Sequence, residues 1–249
     1  MAFQAKTDFC GLSSITELAQ LLLVRSDNEN KTAENYQPQG QDGSIIANEV
    51  FGEDSAPSNS YGLKGDINLA AGKIKLNKIT EINGKKYALE SVTISTSGGS
   101  PVAISATCQE IESGASENGQ CHYSVPALTI LKKHHAQILF GAFTITGAGC
   151  SLTECEAVIG GSISKDKVEG VKVSSDINSG LITVTGTVLQ SGSTVPTIAA
   201  NTTDGWVLTA PPTCANDEAV YKTYSFTVTK ALAKDVVTPP SNGGGSQST

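Results

Sequence analysis

The side chains with the most capacity for chemistry are three histidines, His122, His134 and His135, and six cysteines, Cys10, Cys108, Cys121, Cys150, Cys155 and Cys214. The adjacent pair His134-His135, placed in a strand, points its two imidazoles to opposite faces and cannot chelate one metal ion. His122 follows Cys121 in a predicted loop or strand start and, like the other two, reads as a surface histidine. A nucleophilic cysteine needs a base held by a third group, and no spacing here supplies one. Cys150 and Cys155 are separated by four residues and Cys108 and Cys121 by twelve. Neither is the two-residue gap of a zinc knuckle. Cys108 sits in a strand pattern and reads as a small buried apolar residue.

Carboxylates gather at Glu49, Glu53 and Asp54, at Asp217 and Glu218, and at Glu154 and Glu156 around Cys155. None of these runs has the alternating acidic positions and central glycine of a calcium loop. The Gly-Gly pairs lack the following Lys-Ser/Thr and helix of a phosphate-cradling loop. Two sequons, Asn30-Lys-Thr and Asn201-Thr-Thr, read as accidental in a chain without a secretory signal. The expectation is therefore no catalytic residue, no metal site, no cofactor-binding site and no enzymatic activity.

Composition narrows the partners. The net charge is -7, which gives no long-range attraction for nucleic acid. The nearest basic grouping, Lys73, Lys75, Lys78, Lys85 and Lys86, falls on a predicted hairpin and reads as a solvated strand surface. No apolar run approaches the ~20 residues that a membrane-spanning helix requires. The N-terminus shows no basic stretch followed by an apolar run, so the chain is expected to start in the cytosol. The cysteines would then begin reduced, and any disulfides among them would form only late, after release.

The elements that must position these groups are mainly strands. Charged residues make up only 16% of the chain, with Gly, Ser and Thr in their place, the composition of strands joined by polar turns. Ser14-Ile-Thr-Glu17 is a capping box, and Ile15, Leu18, Leu21 and Leu22 follow at helical spacing, ending at Asp27. Residues 28–62 read as a polar, irregular arm with one short strand at Ser44–Phe51, either laid on a neighbouring subunit or acting as a linker. Lys73-Ile-Lys-Leu76 alternates, and Ile82-Asn-Gly-Lys85 signals a tight hairpin. Further strands are expected at Val92–Ile94, Val102–Ile104, Ala127–Ile130, Gln137–Phe140 and Phe143–Ile145.

Four of these blocks have counterparts at an offset of about eighty residues. Val171–Val173 answers Val92–Ile94, and Ile182–Val184 answers Val102–Ile104. Trp206–Thr209 answers the strand ending at Leu128-Thr129, and Ser225–Thr229 answers Ala142–Thr146. The expected organisation is an N-terminal helix and arm over 1–61, a first β unit over 62–147, a second over 148–235 and a disordered low-complexity tail over 236–249. The fold class is mainly β: two tandem β-sandwich or barrel units with a short N-terminal helix and an extended arm.

The paired blocks from Val92 to Thr146 and from Val171 to Thr229, with the arm from Asn28 to Asn59, resemble virion structural proteins of tailed bacteriophages. The likeness is to tail-tube and related ring-forming subunits. It implies a non-enzymatic homo-oligomer in a virion, in contact with other virion proteins, with no cofactor, no membrane and no specific nucleic-acid binding. An acidic lumen would also let DNA pass without adhering. The alternatives are a capsid decoration protein, or a surface immunoglobulin-like adhesin or carbohydrate-binding module. The adhesin needs exposed aromatics, for which Tyr61, Tyr123, Trp206, Tyr221 and Tyr224 are the candidates, while Trp206 and Phe226 also read as core.

Overall fold

The computed structural model describes residues 22–63, 65–82, 84–96, 102–111, 121–130, 138–139, 141–161, 163–168, 171–177, 179–192, 194–215 and 221–236. In the first half the strands are β1 (Leu22–Tyr36), β2 (Glu49–Leu63), β3 (Ile67–Leu69), β4 (Lys75–Leu76), β5 (Ile79–Ile82), β6 (Lys85–Thr96) and β7 (Ala103–Glu110). Then come β8 (Cys121–Ser124), β9 (Leu128–Ile130), β10 (Ile138–Leu139) and β11 (Phe143–Thr146). The second half holds β12 (Cys150–Gly160), β13 (Ile163–Val168), β14 (Val171–Ile177), β15 (Leu181–Ser191) and β16 (Thr197–Ala200). A 3-10 turn at Thr202–Asp204 precedes β17 (Val207–Cys214), β18 (Tyr221–Ala231) and β19 (Lys234–Val236).

One antiparallel sheet dominates, in the order β1-β2-β7-β6-β12-β15-β18-β17, with β5 also paired to β6. Residues opposite one another in such a ladder share a face, so its two sides can be read row by row. On one side the pairing runs Tyr61–Ile104–Ile94–Ala157–Val184–Val228–Leu208 across seven strands. All but Leu208 are buried. The neighbouring row on the opposite side runs Ser60–Ser105–Thr93–Val158–Thr183–Thr229–Val207. The period-2 alternation of each strand sorts apolar and hydroxyl side chains to opposite faces, which fixes the register.

Three small sheets complete the core: β10-β9-β3, β19-β8-β4 and β11-β16. Ile67, Leu69, Leu76, Tyr123, Leu128, Ile130 and Ile198 from these sheets join the same buried cluster as the apolar row of the main sheet. Each Ile, Leu or Val fully buried there contributes about 1.5–3 kcal/mol. Phe226 packs edge-on against Phe143 with centroids 4.8 Å apart. The β12–β15 pair is prolonged by a separate two-stranded hairpin, β13–β14.

Several expectations hold. The hairpin expected between Ile82 and Lys85 joins β5 to β6, with Gly84 at φ 77° and Ile82 opposite Lys85. Ile74 and Leu76 are buried while Lys73 and Lys75 are exposed. Cys108 is buried.

Others are revised. The expected helix lies largely outside the described residues, and where residues 22–27 are described they are strand, because the Leu22–Val24 run pairs with Tyr61–Leu63 at the sheet edge. The arm expected to be irregular over 28–62 is a long antiparallel ribbon of β1 and β2. The short strand expected at Ser44–Phe51 begins only at Glu49. The segments 62–147 and 148–235 share one sheet through the β6–β12 pairing and one core cluster. Of the blocks matched at the eighty-residue offset, Val102–Ile104 and Ile182–Val184 both reach the main sheet, but others take unlike places. Val92–Ile94 lies in the main sheet, whereas Val171–Val173 pairs with β13 in its own sheet. Ser225–Thr229 lies in the main sheet, whereas Phe143–Thr146 pairs with β16. Thr/Val-rich strands match one another in composition wherever they sit. Val236, expected to begin the tail, closes β19 opposite Cys121, and the rest of the tail lies outside the described residues.

Candidate interaction surface

The ribbon leaves the main sheet at a defined point. The β2–β7 ladder ends at Ser58 opposite Thr107. The next residue outward, Pro57, has no N–H to continue the ladder. Beyond it, side chains of β7 and β6 take over. The backbone N–H of Ser55 donates to Glu110 Oε2 at 3.2 Å, and the Ser55 hydroxyl donates to the same oxygen. Gln109 Nε2 donates to the Ser55 carbonyl at 3.3 Å. Lys85 Nζ lies 3.2 Å from Glu110 Oε2 and 3.4 Å from Ser55 Oγ. Ser55 is only 1% exposed, so both of its main-chain groups depend on these partners.

The electrostatics follow from the geometry. The hydrogen bond to Glu110 holds the Lys85 ammonium above its ordinary value of 10.5, with burial opposing. Burial pushes the phenol of Tyr87 above 10.0, against a hydrogen bond with Ser55 that lowers it. The root of the ribbon is thus a compact polar cluster drawn from β2, β6 and β7. It also accounts for one lysine of the basic grouping: Lys85 is engaged with Glu110, and Lys73, Lys75 and Lys78 are exposed.

The tip is a turn closed by its own polar groups. Gln39 bridges Ile45, Gly40 N donates to Ser44 O at 2.8 Å, and Ile46 N donates to Pro38 O at 2.9 Å. Asp42 accepts from Ser44 N at 3.0 Å and from Ser44 Oγ at 2.6 Å. The Ser44 hydroxyl and then its amide hold that carboxyl below 3.8. Gly43, at φ 81°, takes the left-handed position that other residues reach only with strain. Gln37 Nε2 donates across to Asn48 Oδ1 at 2.9 Å. The turn leaves its apolar side chains facing water: Tyr36 is 56% exposed, Ile45 55%, Ile46 70% and Val50 66%. Among the described residues these four are half of all the large exposed hydrophobics.

The second surface is the uncovered side of the main sheet. Its rows carry serine and threonine, with Glu154 and Glu156 the charged residues that β12 adds opposite Thr187 and Thr185. The β17 edge of this sheet carries Pro211 and Pro212 and two register shifts, features that blunt an edge against further strand pairing.

The residues singled out for chemistry are dispersed. His122 is buried on β8, correcting the expectation of a surface histidine. His134, His135, Cys10, Asp217 and Glu218 lie outside the described residues. Cys108, Cys150, Cys155 and Cys214 are not joined in disulfides. Among the described residues no group of three or more His, Cys, Asp and Glu side chains could hold a metal ion. Among the described residues no helix is long and apolar enough to cross a membrane. Of the aromatics considered for a carbohydrate face, Tyr61, Tyr123, Trp206 and Tyr224 are buried, and Tyr221 is exposed. Trp206 packs in the core with the Lys230 ammonium 5.9 Å from its ring. The ribbon root escapes sequence reasoning because no motif ties Ser55 to Glu110; the cue that existed was Pro57 in a polar stretch. Compared with protein-family models and with curated proteins, the chain matches none.

Proposed function

We propose that this chain is a non-enzymatic, self-assembling structural subunit of a tailed-phage particle, of the tail-tube or ring type. In this reading it reaches a neighbouring copy with the β1–β2 ribbon. The observation that carries this is the ribbon itself: a root pinned by Ser55, Glu110 and Lys85, and a self-satisfied turn that holds Tyr36, Ile45, Ile46 and Val50 in water. Apolar side chains held in water gain free energy only when another surface covers them. The hydroxyl-rich sheet face supports the same reading. A lumen lined by hydroxyls and two glutamates offers phosphate no cation to hold.

The test is mass by light scattering after size exclusion, with electron micrographs of the same peak, for the parent and for a variant carrying Ile45→Ser, Ile46→Ser and Val50→Ser. Rings, tubes or a discrete oligomer in the parent, lost in the variant without loss of folding, support the reading. A parent that stays monomeric at every concentration, or a variant that assembles like the parent, overturns it.

A further inference from the structure

Gln190 on β15 has no solvent exposure, and neither its amide oxygen nor its amide nitrogen has a hydrogen-bond partner. A primary amide carries one acceptor oxygen and two N–H donors, and burying them unpaired is costly. The residue directly opposite on β12 is Cys150. Paired residues of an antiparallel ladder share a face, with Cβ atoms about 4.5–5.5 Å apart. That face is the buried one, since the next pair along it, Leu152 and Val188, packs with the core. Cys150 is a free, half-buried thiol. Its Sγ is roofed by Gly147, where a Cβ would stand 2.6 Å from the sulfur and 3.6 Å from the Cα of buried Pro196. A thiol, 4.0 Å from the Ala148 carbonyl oxygen, and an unsatisfied carboxamide thus occupy directly opposed positions on the packed face at one end of the sheet.

We propose that Cys150 and Gln190 form an intramolecular thioester, a modification site whose substrates are primary amines. The Cys150 sulfur attacks Cδ of Gln190, the S–Cδ bond forms and the Cδ–Nε2 bond breaks. The thiol proton passes to the departing nitrogen, which leaves as ammonia. No oxidant, metal or cofactor enters the balance. The product keeps one carbonyl oxygen and has no N–H, so the enclosed site is relieved of its two unpaired donors. A primary amine that reaches the thioester attacks the same carbon, displaces the thiol and leaves a substituted amide on Gln190.

Lys222 flanks Gln190 on the other side, on β18, and its amine is the rival nucleophile. The cysteine fits better on reach: one bond beyond its Cβ and two beyond that of glutamine span a directly opposed pair, whereas lysine is several methylenes too long. This inference does not rest on the assembly reading and stands or falls separately.

The experiment is intact-mass spectrometry of the freshly purified full chain in amine-free neutral buffer, with iodoacetamide labelling under denaturing conditions, before and after methylamine. The expected parent is lighter than its sequence by one ammonia and short of one alkylatable thiol. Methylamine restores that thiol and is found by peptide mapping on Gln190. Gln190→Glu and Cys150→Ser each abolish the ammonia loss. Should Gln190→Glu fail to fold, Cys150→Ser at the half-exposed side of the pair carries the test alone. A parent of full mass with every thiol alkylatable overturns the proposal. So does an ammonia loss that survives Cys150→Ser, which would assign the cross-link to Lys222.

Discussion

Glu110, near the end of β7, receives both the backbone N–H and the hydroxyl of Ser55 on β2, 55 positions away in sequence. This is the joint between the sheet and the ribbon. Removing the carboxylate in Glu110→Ala leaves two buried donors of Ser55 without their acceptor and Lys85 without its partner. The expected loss of stability is about 2–3 kcal/mol, read as a lower midpoint in urea. Glu110→Gln keeps an acceptor and loses less. Amide exchange at Ser55, Ala56 and Ser58 should quicken in the alanine variant while the apolar row of the main sheet is unchanged.

The same joint has a pH signature. Lys85 is held above 10.5 by its hydrogen bond to Glu110, and Tyr87 above 10.0 by burial. Both bind their proton more tightly folded than unfolded. Their contribution is therefore complete below about pH 10 and is lost as the pH rises through the raised folded values. The urea midpoint should fall above that pH more steeply in the parent than in Lys85→Met or Tyr87→Phe. Parallel curves for all three would remove the joint as the cause.

Much of the sheet is legible in the sequence, and the joint is not. The stretches at Val92–Ile94 and Ile182–Val184 alternate because one face is packed and the other wet, and the structure places both in the main sheet. Asn83-Gly84 announces its turn because few other pairs tolerate the backbone it requires. The ribbon is opaque for the opposite reason. The Asp54–Asn59 stretch holds Asp, Ala, Pro and Asn, residues depleted in strands, and its strand character comes from pairing with β1 across Asp27–Thr32. A two-stranded projection also has no packed face along most of its length, so there is no alternation to detect. The Ser55–Glu110 link joins two ordinary polar residues whose meeting depends on the order β2-β7-β6. The aromatics fail as a binding-face signal because Trp206 and Tyr224 serve the core.

Gly186 is a packing position where side-chain volume is excluded. A Cβ added there would stand 2.4 Å from Phe226 Cζ and 3.2 Å from Leu152 Cδ1. Phe226 is itself held by Phe143 at 4.8 Å, so the ring has little freedom to retreat. Gly186→Ala should cost about 1–3 kcal/mol as overpacking, measured by urea denaturation. Adding Phe226→Leu, which withdraws the obstructing ring edge, should make the double variant more stable than the sum of the two single losses. Simple additivity would show that the ring is not what excludes the methyl group.

The hydroxyl face offers a test of what its lack of cations does. Thr185 and Thr229 lie on adjacent strands of that face, Thr185 opposite Thr227 and Thr229 opposite Thr183. They are diagonal neighbours, so lysines at both places would not sit directly opposite one another. Neither side chain points into the core, so Thr185→Lys with Thr229→Lys should change stability by only about 1 kcal/mol, the full span of strand preference. The parent, with net charge -7 and Glu156 opposite Thr185, should not retard duplex DNA in a gel at physiological salt. The double variant should bind it weakly, and log affinity should fall against log salt with a slope steeper by about 0.9 for each phosphate the new lysines neutralise. Binding by the parent as strong as by the variant would mean that phosphate is held elsewhere on the molecule, by Lys73, Lys75 and Lys78 for instance. The sheet face would then have no part in keeping nucleic acid from adhering.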